Sequence, residues 1–151
     1  MEIKFKRLHE LAKIPELATV GSACADLYIT EIETLINKVT VKLGFATEIP
    51  IGFKCCIVPR SSFSHCGWVM ANSPGQIDSD YRGEWMVKFE GIPYSTNKSY
   101  GFFTPTPFPY IVGDRVAQVY LEEVKRLTFI EVDELSNTVR GSGGFGSTGK
   151  A

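Results

Sequence analysis

The residues best suited by type and spacing to do chemistry are ones that handle phosphate. In the last twelve residues Arg140, Ser147, Thr148 and Lys150 surround Phe145 among Gly141, Gly143, Gly144, Gly146 and Gly149. An arginine, two hydroxyls, a lysine and many accessible backbone N–H groups around one aromatic ring suit a segment that folds over a phosphorylated ligand. Composition alone favours a simpler reading, a flexible tail that binds nothing. Two formal phosphate motifs there fail on context. Gly141-Ser-Gly143-Gly-Phe-Gly146 fits a dinucleotide fingerprint and Gly144 to Lys150 nearly fits a P-loop, but neither is followed by the helix its mechanism needs. A second candidate is Arg60-Ser61-Ser62. Pro59 before it has a fixed φ and no donor, which favours a turn where hydroxyls and backbone N–H groups face an anion.

Other chemistries are weaker. Cys24, Cys55, Cys56 and Cys66 form no C-x-x-C pair, and on a strand Cys55 and Cys56 point to opposite faces. Free thiols in a reducing, cytoplasmic or other intracellular compartment are expected. His65-Cys66 lacks the further ligands of a metal site. Sixteen Lys+Arg against seventeen Asp+Glu leave no basic surplus for wrapping nucleic acid or coating a membrane. The apolar runs are too short to span a bilayer, and the N-terminus alternates where a signal peptide would be continuously apolar.

The elements that must position these residues are strands. Ile3 and Phe5, then Val39, Val41 and Leu43, then Trp85, Val87 and Phe89 alternate with polar or exposed-type neighbours, the period of half-buried strands. Gly and Pro recur too often for long helices, so an all-β jelly-roll-like barrel or sandwich is predicted. Ile29, Ile32, Ile36 and Val39 are spaced three, four and three apart and leave a helix open there. The expected organisation is a core over 1–135, carrying a Pro/aromatic-rich insert at about 92–109, and a mobile arm over 136–151. The insert reads as a long loop whose prolines pin aromatics onto the body, and it is also a candidate surface for an additional protein partner. Within the core, Gly75-Gln-Ile-Asp78 and Tyr81-Arg-Gly83 bracket Ser79-Asp80 as in a β-hairpin, which could cradle a flat base. An aspartate there also serves simply as a turn cap.

Five segments resemble, in order, the five motifs of the trimeric dUTPase family: Gly21-Ser-Ala-Cys24-Ala-Asp26-Leu27, Pro59-Arg60-Ser61-Ser62, Asn72 to Glu84, Gly113-Asp114-Arg115-Val116-Ala117-Gln118, and Arg140 to Gly149. The third is the most specific, and together they cover nearly the whole chain. The resemblance implies hydrolysis of dUTP to dUMP and pyrophosphate, which limits uracil in DNA and supplies dUMP for dTTP synthesis. It implies Asp78 as the general base for a water that attacks the α-phosphorus. It also implies backbone reading of uracil between Asn72 and Asp78, with Gly75 and Ile77 in that stretch and the Asn72 amide at the base edge. Tyr81 would pack on the deoxyribose and exclude a 2′-hydroxyl. Arg60, Ser61, Ser62 and Gln118 would contact the phosphates or their waters, and Asp26 would hold hydrated Mg2+ through water. Phe145 would stack on uracil while Arg140, Gly146, Ser147 and Thr148 close on the phosphates as a lid from a neighbouring subunit of a homotrimer. Asp114 and Arg115 are expected to form a structural ion pair with each other.

Departures are few. Cys24 stands where the family usually has glycine, and the stretch from Ile92 to Pro109 is long. Two rival readings remain at this point: a dCTP deaminase of the same superfamily, opposed by the intact Asp78 and Tyr81 motif, and a nucleotide-gated regulatory module working through the insert.

Overall fold

A computed structural model describes residues 1–92 and 107–144. Among them eleven strands follow one another: β1 (Lys4–Arg7), β2 (Glu16–Leu17), β3 (Ala25–Tyr28), β4 (Glu31–Leu35), β5 (Lys38–Lys42), β6 (Phe45–Glu48), β7 (Phe53–Pro59), β8 (Trp68–Met70), β9 (Gly75–Ile77), β10 (Met86–Gly91) and β11 (Arg115–Glu123). They form a pair β1-β6, a four-stranded sheet β4-β5-β10-β8 and a five-stranded sheet β2-β3-β11-β7-β9. Every pairing is antiparallel. The predicted all-β, jelly-roll-like class is the observed one.

Period-two patterning explains how the layers meet. Val39 and Val41 of β5 and Val87 and Phe89 of β10 are buried against Leu27 of β3, Ile57 of β7 and Val116 and Ala117 of β11. Each of these side chains except the small Ala117 contributes about 1.5–3 kcal/mol of burial free energy. Cys55 joins this core while Cys56 turns to the other face and donates to Glu122 Oε2 at 3.2 Å, as strand alternation requires. None of the four cysteines, all among the described residues, is in a disulfide. Burial pushes the Cys55 thiol up to about 11.

Residues 29–39 form no helix. β4 and β5 pair from Glu31↔Lys42 to Leu35↔Lys38 around a turn at Ile36-Asn37. The helical spacing is coincidental, because Ile36 is 87 % exposed while Ile29 and Val39 are buried. Cross-strand charge supports the hairpin: Lys42 Nζ lies 3.2 Å from Glu31 and 2.6 Å from Glu33.

Of the aromatic insert, Phe108 meets Trp68 edge-on at 5.3 Å, and just after it Tyr110 stacks on Phe63 at 4.8 Å; residues 93–106 lie outside the described residues. After β11, residues 125–139 join no strand among the described residues, and Leu127, Phe129, Ile130 and Leu135 are at least 79 % exposed. No helix among the described residues is long and apolar enough to cross a membrane.

Candidate active site

One half of the site forms where β8 returns as β9. Ala71 N donates to Lys88 O at 2.8 Å, and Lys88 N donates in turn to Asn72 Oδ1 at 3.1 Å, so a side chain supplies the next rung of the ladder. With its carbonyl committed, Asn72 presents its Nδ2 donor. That nitrogen lies over Gly75, where a Cβ would come within 3.3 Å of it. β9 is held by β7 through Ile57↔Gly75 and Cys55↔Ile77, and the chain then turns at Asp78, with Tyr81 N donating to Asp78 O at 3.2 Å.

The expected hairpin about Ser79-Asp80 is absent. Its first arm, β9, belongs to the five-stranded sheet, and the following strand, β10, to the four-stranded one. The arms part because Trp85, 2 % exposed, must enter the core between the layers. Side chains hold the turn instead of a ladder. Arg82 Nη1 donates to Ser79 O at 2.7 Å and Tyr81 O at 3.1 Å, Tyr81 Oη donates to Glu84 O at 3.1 Å, and Glu84 Oε1 accepts from Gly44 N at 3.0 Å. The Tyr81 ring lies so close over Gly83 that a Cβ there would sit 2.4 Å from its hydroxyl. Asn72, Ile77, Asp78, Tyr81, Met86 and Lys88 line the resulting cleft of about 220 Å³.

The other half forms across β3, β11 and β7, where Asp26 lies opposite Gln118 and Gln118 opposite Val58. Asp26, its side chain 13 % exposed, is gripped on both oxygens: Arg60 Nε is 3.0 Å from Oδ1 and Arg115 Nη1 is 3.1 Å from Oδ2. Arg60 Nη1 also donates to Arg115 O at 3.2 Å, and Gln118 Nε2 to Pro59 O at 3.2 Å. The expected Asp114–Arg115 pair is not formed. Asp114 Oδ2 instead accepts from Ile111 N at 2.9 Å, closing the turn before β11, while Arg115 reaches across to β3. After Pro59 the chain turns at Arg60 into a short 3-10 helix, Ser61–His65, anchored by buried Phe63 on Phe89 at 4.7 Å. Ser62 Oγ lies 3.2 Å from Tyr110 Oη.

The donor set bears on Mg2+. Among the described residues no three His, Cys, Asp or Glu side chains cluster as chelators, and each Asp26 oxygen already accepts from an arginine. Such a set fits an ion that keeps its water shell and is held mainly by substrate phosphates, with Asp26 accepting from one of its waters.

The sequence-predicted residues thus fall into two groups: Asn72, Gly75, Ile77, Asp78 and Tyr81 at the cleft, and Asp26, Arg60, Ser61, Ser62 and Gln118 at the arginine cluster. Because Ile77 pairs with Cys55, Asp78 falls beside Lys54. Arg60 lies six residues further along, roughly 20 Å at strand rise. Among the described residues Arg140 bonds within its own segment, to Gly143 O at 3.0 Å; Phe145, Gly146, Ser147 and Thr148 lie outside them. Sequence reasoning missed Arg82 and Glu84, which brace the Asp78 turn, and the true partner of Arg115. The one available signal for the last was the adjacent apolar pair Val116-Ala117, which breaks strand alternation.

Fold and site place the chain among jelly-roll-like β proteins. It is similar to the Staphylococcus bacteriophage 80alpha dUTPase with dUPNHPP (TM-score 0.76, 24 % identity, 99 % of each chain) and to the dUTPase from phage phi11 of S. aureus (TM-score 0.71, 20 % identity, 91 % of this chain and 100 % of that one). The sequence narrows this class. The dUTPase family model matches residues 10–149. Proteins called deoxyuridine 5'-triphosphate nucleotidohydrolase are 38 % identical in Thermobifida fusca (99 % of this chain, 79 % of that protein) and 41 % identical in Helicobacter hepaticus (100 % and 90 %). The chain belongs to the dUTPase family.

Proposed function

We propose that the chain is a dUTP diphosphatase, hydrolysing dUTP to dUMP and pyrophosphate, and so limits uracil in DNA and supplies dUMP for dTTP synthesis. The observation that carries this reading is that Asp78 shares one cleft with Asn72 and Tyr81. A base-edge donor, a ring for the sugar and a carboxylate are together there. The Asn72 Nδ2 donor suits a carbonyl at the base edge, as uracil offers, and opposes the amino group of cytosine. Backbone along Asn72 to Asp78, including Gly75 and Ile77 on β9, the edge strand of its sheet, completes the edge. Tyr81 packs on the deoxyribose and leaves no room for a 2′-hydroxyl. Asp78 accepts the proton of the water that attacks the α-phosphorus.

Arg60, the backbone N–H groups and hydroxyls of Ser61 and Ser62, and Gln118 bind the phosphates. Mg2+, when bound, neutralises charge on the triphosphate, and Asp26 holds it through water. Phe145, with Arg140, Gly146, Ser147 and Thr148, closes over the bound nucleotide from an arm that begins near residue 136.

Asp78 and Arg60, separated along β7, do not reach one phosphate within a chain, which supports sites completed between subunits of a homotrimer. Two further observations favour assembly. Leu127, Phe129, Ile130 and Leu135 are uncovered. Trp85 Nε1 and Thr47 Oγ1 are buried without a partner among the described residues, beside an apolar pocket of about 430 Å³. Reduced thiols fit an intracellular, reducing location.

The test is incubation of the protein with each deoxynucleoside triphosphate and Mg2+, beside an Asp78→Asn variant. Pyrophosphate and dUMP released from dUTP alone, falling by about 10²–10⁴ in the variant, support substrate and base together. Turnover of dCTP, or full activity without the carboxylate, would refute the assignment.

A further inference from the structure

The arginine cluster holds one feature that substrate binding and proton transfer leave unused. On β11 the exposure alternates from Val119 back through Gln118 to Ala117, and then Val116, the next residue, is buried as well. The register explains this: Ala117 faces Leu27 but Arg115 faces Tyr28, so the strand carries a bulge between them. In an unbulged strand Val116 would face out and Arg115 into the core. The extra residue reverses this and turns Arg115 onto the face that carries Gln118 and Asp26. A bulge costs ladder hydrogen bonds, and here its product is a second guanidinium on a carboxylate that Arg60 already holds.

The pairing is unequal in position. Arg60 takes Oδ1 through Nε and anchors Nη1 on Arg115 O, whereas Arg115 takes Oδ2 from the more exposed side, 48 % against 24 %. Two cations share one anion, so the cluster carries a surplus positive charge that suits a polyphosphate. If Arg60 were the sole cation in contact with Asp26, its move to a phosphate oxygen would leave a mostly buried carboxylate held only through the water of the metal ion beside a triphosphate, and both desolvation and repulsion would oppose binding.

We propose that Arg115 is a positioning residue of this reaction: the β11 bulge places it to keep Asp26 paired while Arg60 transfers to the triphosphate. It acts through Asp26 and Arg60 and touches neither base nor reacting phosphorus. The inference rests on the dUTP reading above, and its test includes binding measurements that need no turnover. Arg115 should matter in proportion to phosphate charge.

The experiment compares wild type, Arg115→Gln and Arg115→Lys, each also in an Asp26→Asn background. It measures binding of a non-hydrolysable imido analogue of dUTP and of dUMP, with Mg2+ and in EDTA, together with kcat and KM. For Arg115→Gln the expected result is analogue binding and KM weakened about tenfold, within the range for coupled neighbouring charges, with dUMP binding and kcat changed less than about threefold. Arg115→Lys should restore part of the affinity, and in the Asp26→Asn background the cost of Arg115→Gln should vanish, because no charge is left to hold. Equal losses for dUMP and the analogue, a loss undiminished by Asp26→Asn, or no loss at all would overturn the proposal. Absence of dUTP turnover in wild type that still binds the analogue would count against the hydrolytic reading alone, and the binding data would still decide the role of Arg115.

Discussion

The two ends of β7 are built by different means. Around Asp78 the cleft is shaped by close packing: Gly75 under the Asn72 amide, Gly83 under the Tyr81 ring, and a turn tied by Arg82 to backbone carbonyls. Around Arg60 the structure is set by charge, with two guanidiniums on one carboxylate and a bulge that supplies the second. Under the proposed reading, the difference predicts that selectivity and phosphate handling are separable in this chain. A methyl group in the wrong place should damage the first, and a missing charge the second.

Arg60→Gln gives the largest break. It removes a cation from the phosphate end, and kcat/KM for dUTP should fall by about 10²–10³, while the ratio of dUTP to UTP turnover stays near that of wild type. Steady-state assays with both nucleotides check this, and a collapse of that ratio would contradict the separation. Gly83→Ala is the converse. Its methyl would meet the tyrosine hydroxyl at 2.4 Å, so the ring must swing away and give up its bond to Glu84 O. Discrimination against UTP should weaken on the order of tenfold, with stability lower by about 1 kcal/mol, measured by competition assay and by thermal unfolding. Ile36 belongs to neither the Asp78 cleft nor the arginine cluster, and Ile36→Asn should leave kinetics unchanged. Ile36 sits at φ 48°, a conformation that disfavours a β-branched side chain and that asparagine tolerates. Stability should rise by about 1 kcal/mol, a gain of roughly 2–4 °C in Tm.

The half built by packing was the more legible in sequence. Asn72, Asp78 and Tyr81 stand within ten residues of one another in a stretch whose turn residues and apolar flanks announce a chain reversal, and alternation at Val39-Val41-Leu43 and at Val87-Phe89 gave the layers that frame it. The error there was topological: local pattern cannot say which sheet a strand joins, so a turn between layers looked like a hairpin. The charged half was less legible because its contacts span 89 residues, as from Asp26 to Arg115. Asp114 and Arg115 are neighbours in sequence and suggest a pair, and one extra residue in a strand is enough to send the arginine elsewhere. At Ile36-Asn37 the sequence was misleading in its own right, since isoleucine is a poor residue for the turn it occupies.

The separation of Asp78 from Arg60 along one strand also has a genetic consequence. Where a site draws its base from one subunit and its phosphate clamp from another, two individually inactive forms of the gene can rescue each other. Co-expressed in equal amounts, Asp78→Asn and Arg60→Gln chains would assort at random and leave about a quarter of the sites with both groups intact. Either form produced beside the normal chain would silence sites that the normal chain alone would have kept. A cell carrying both would therefore show partial complementation between two nulls.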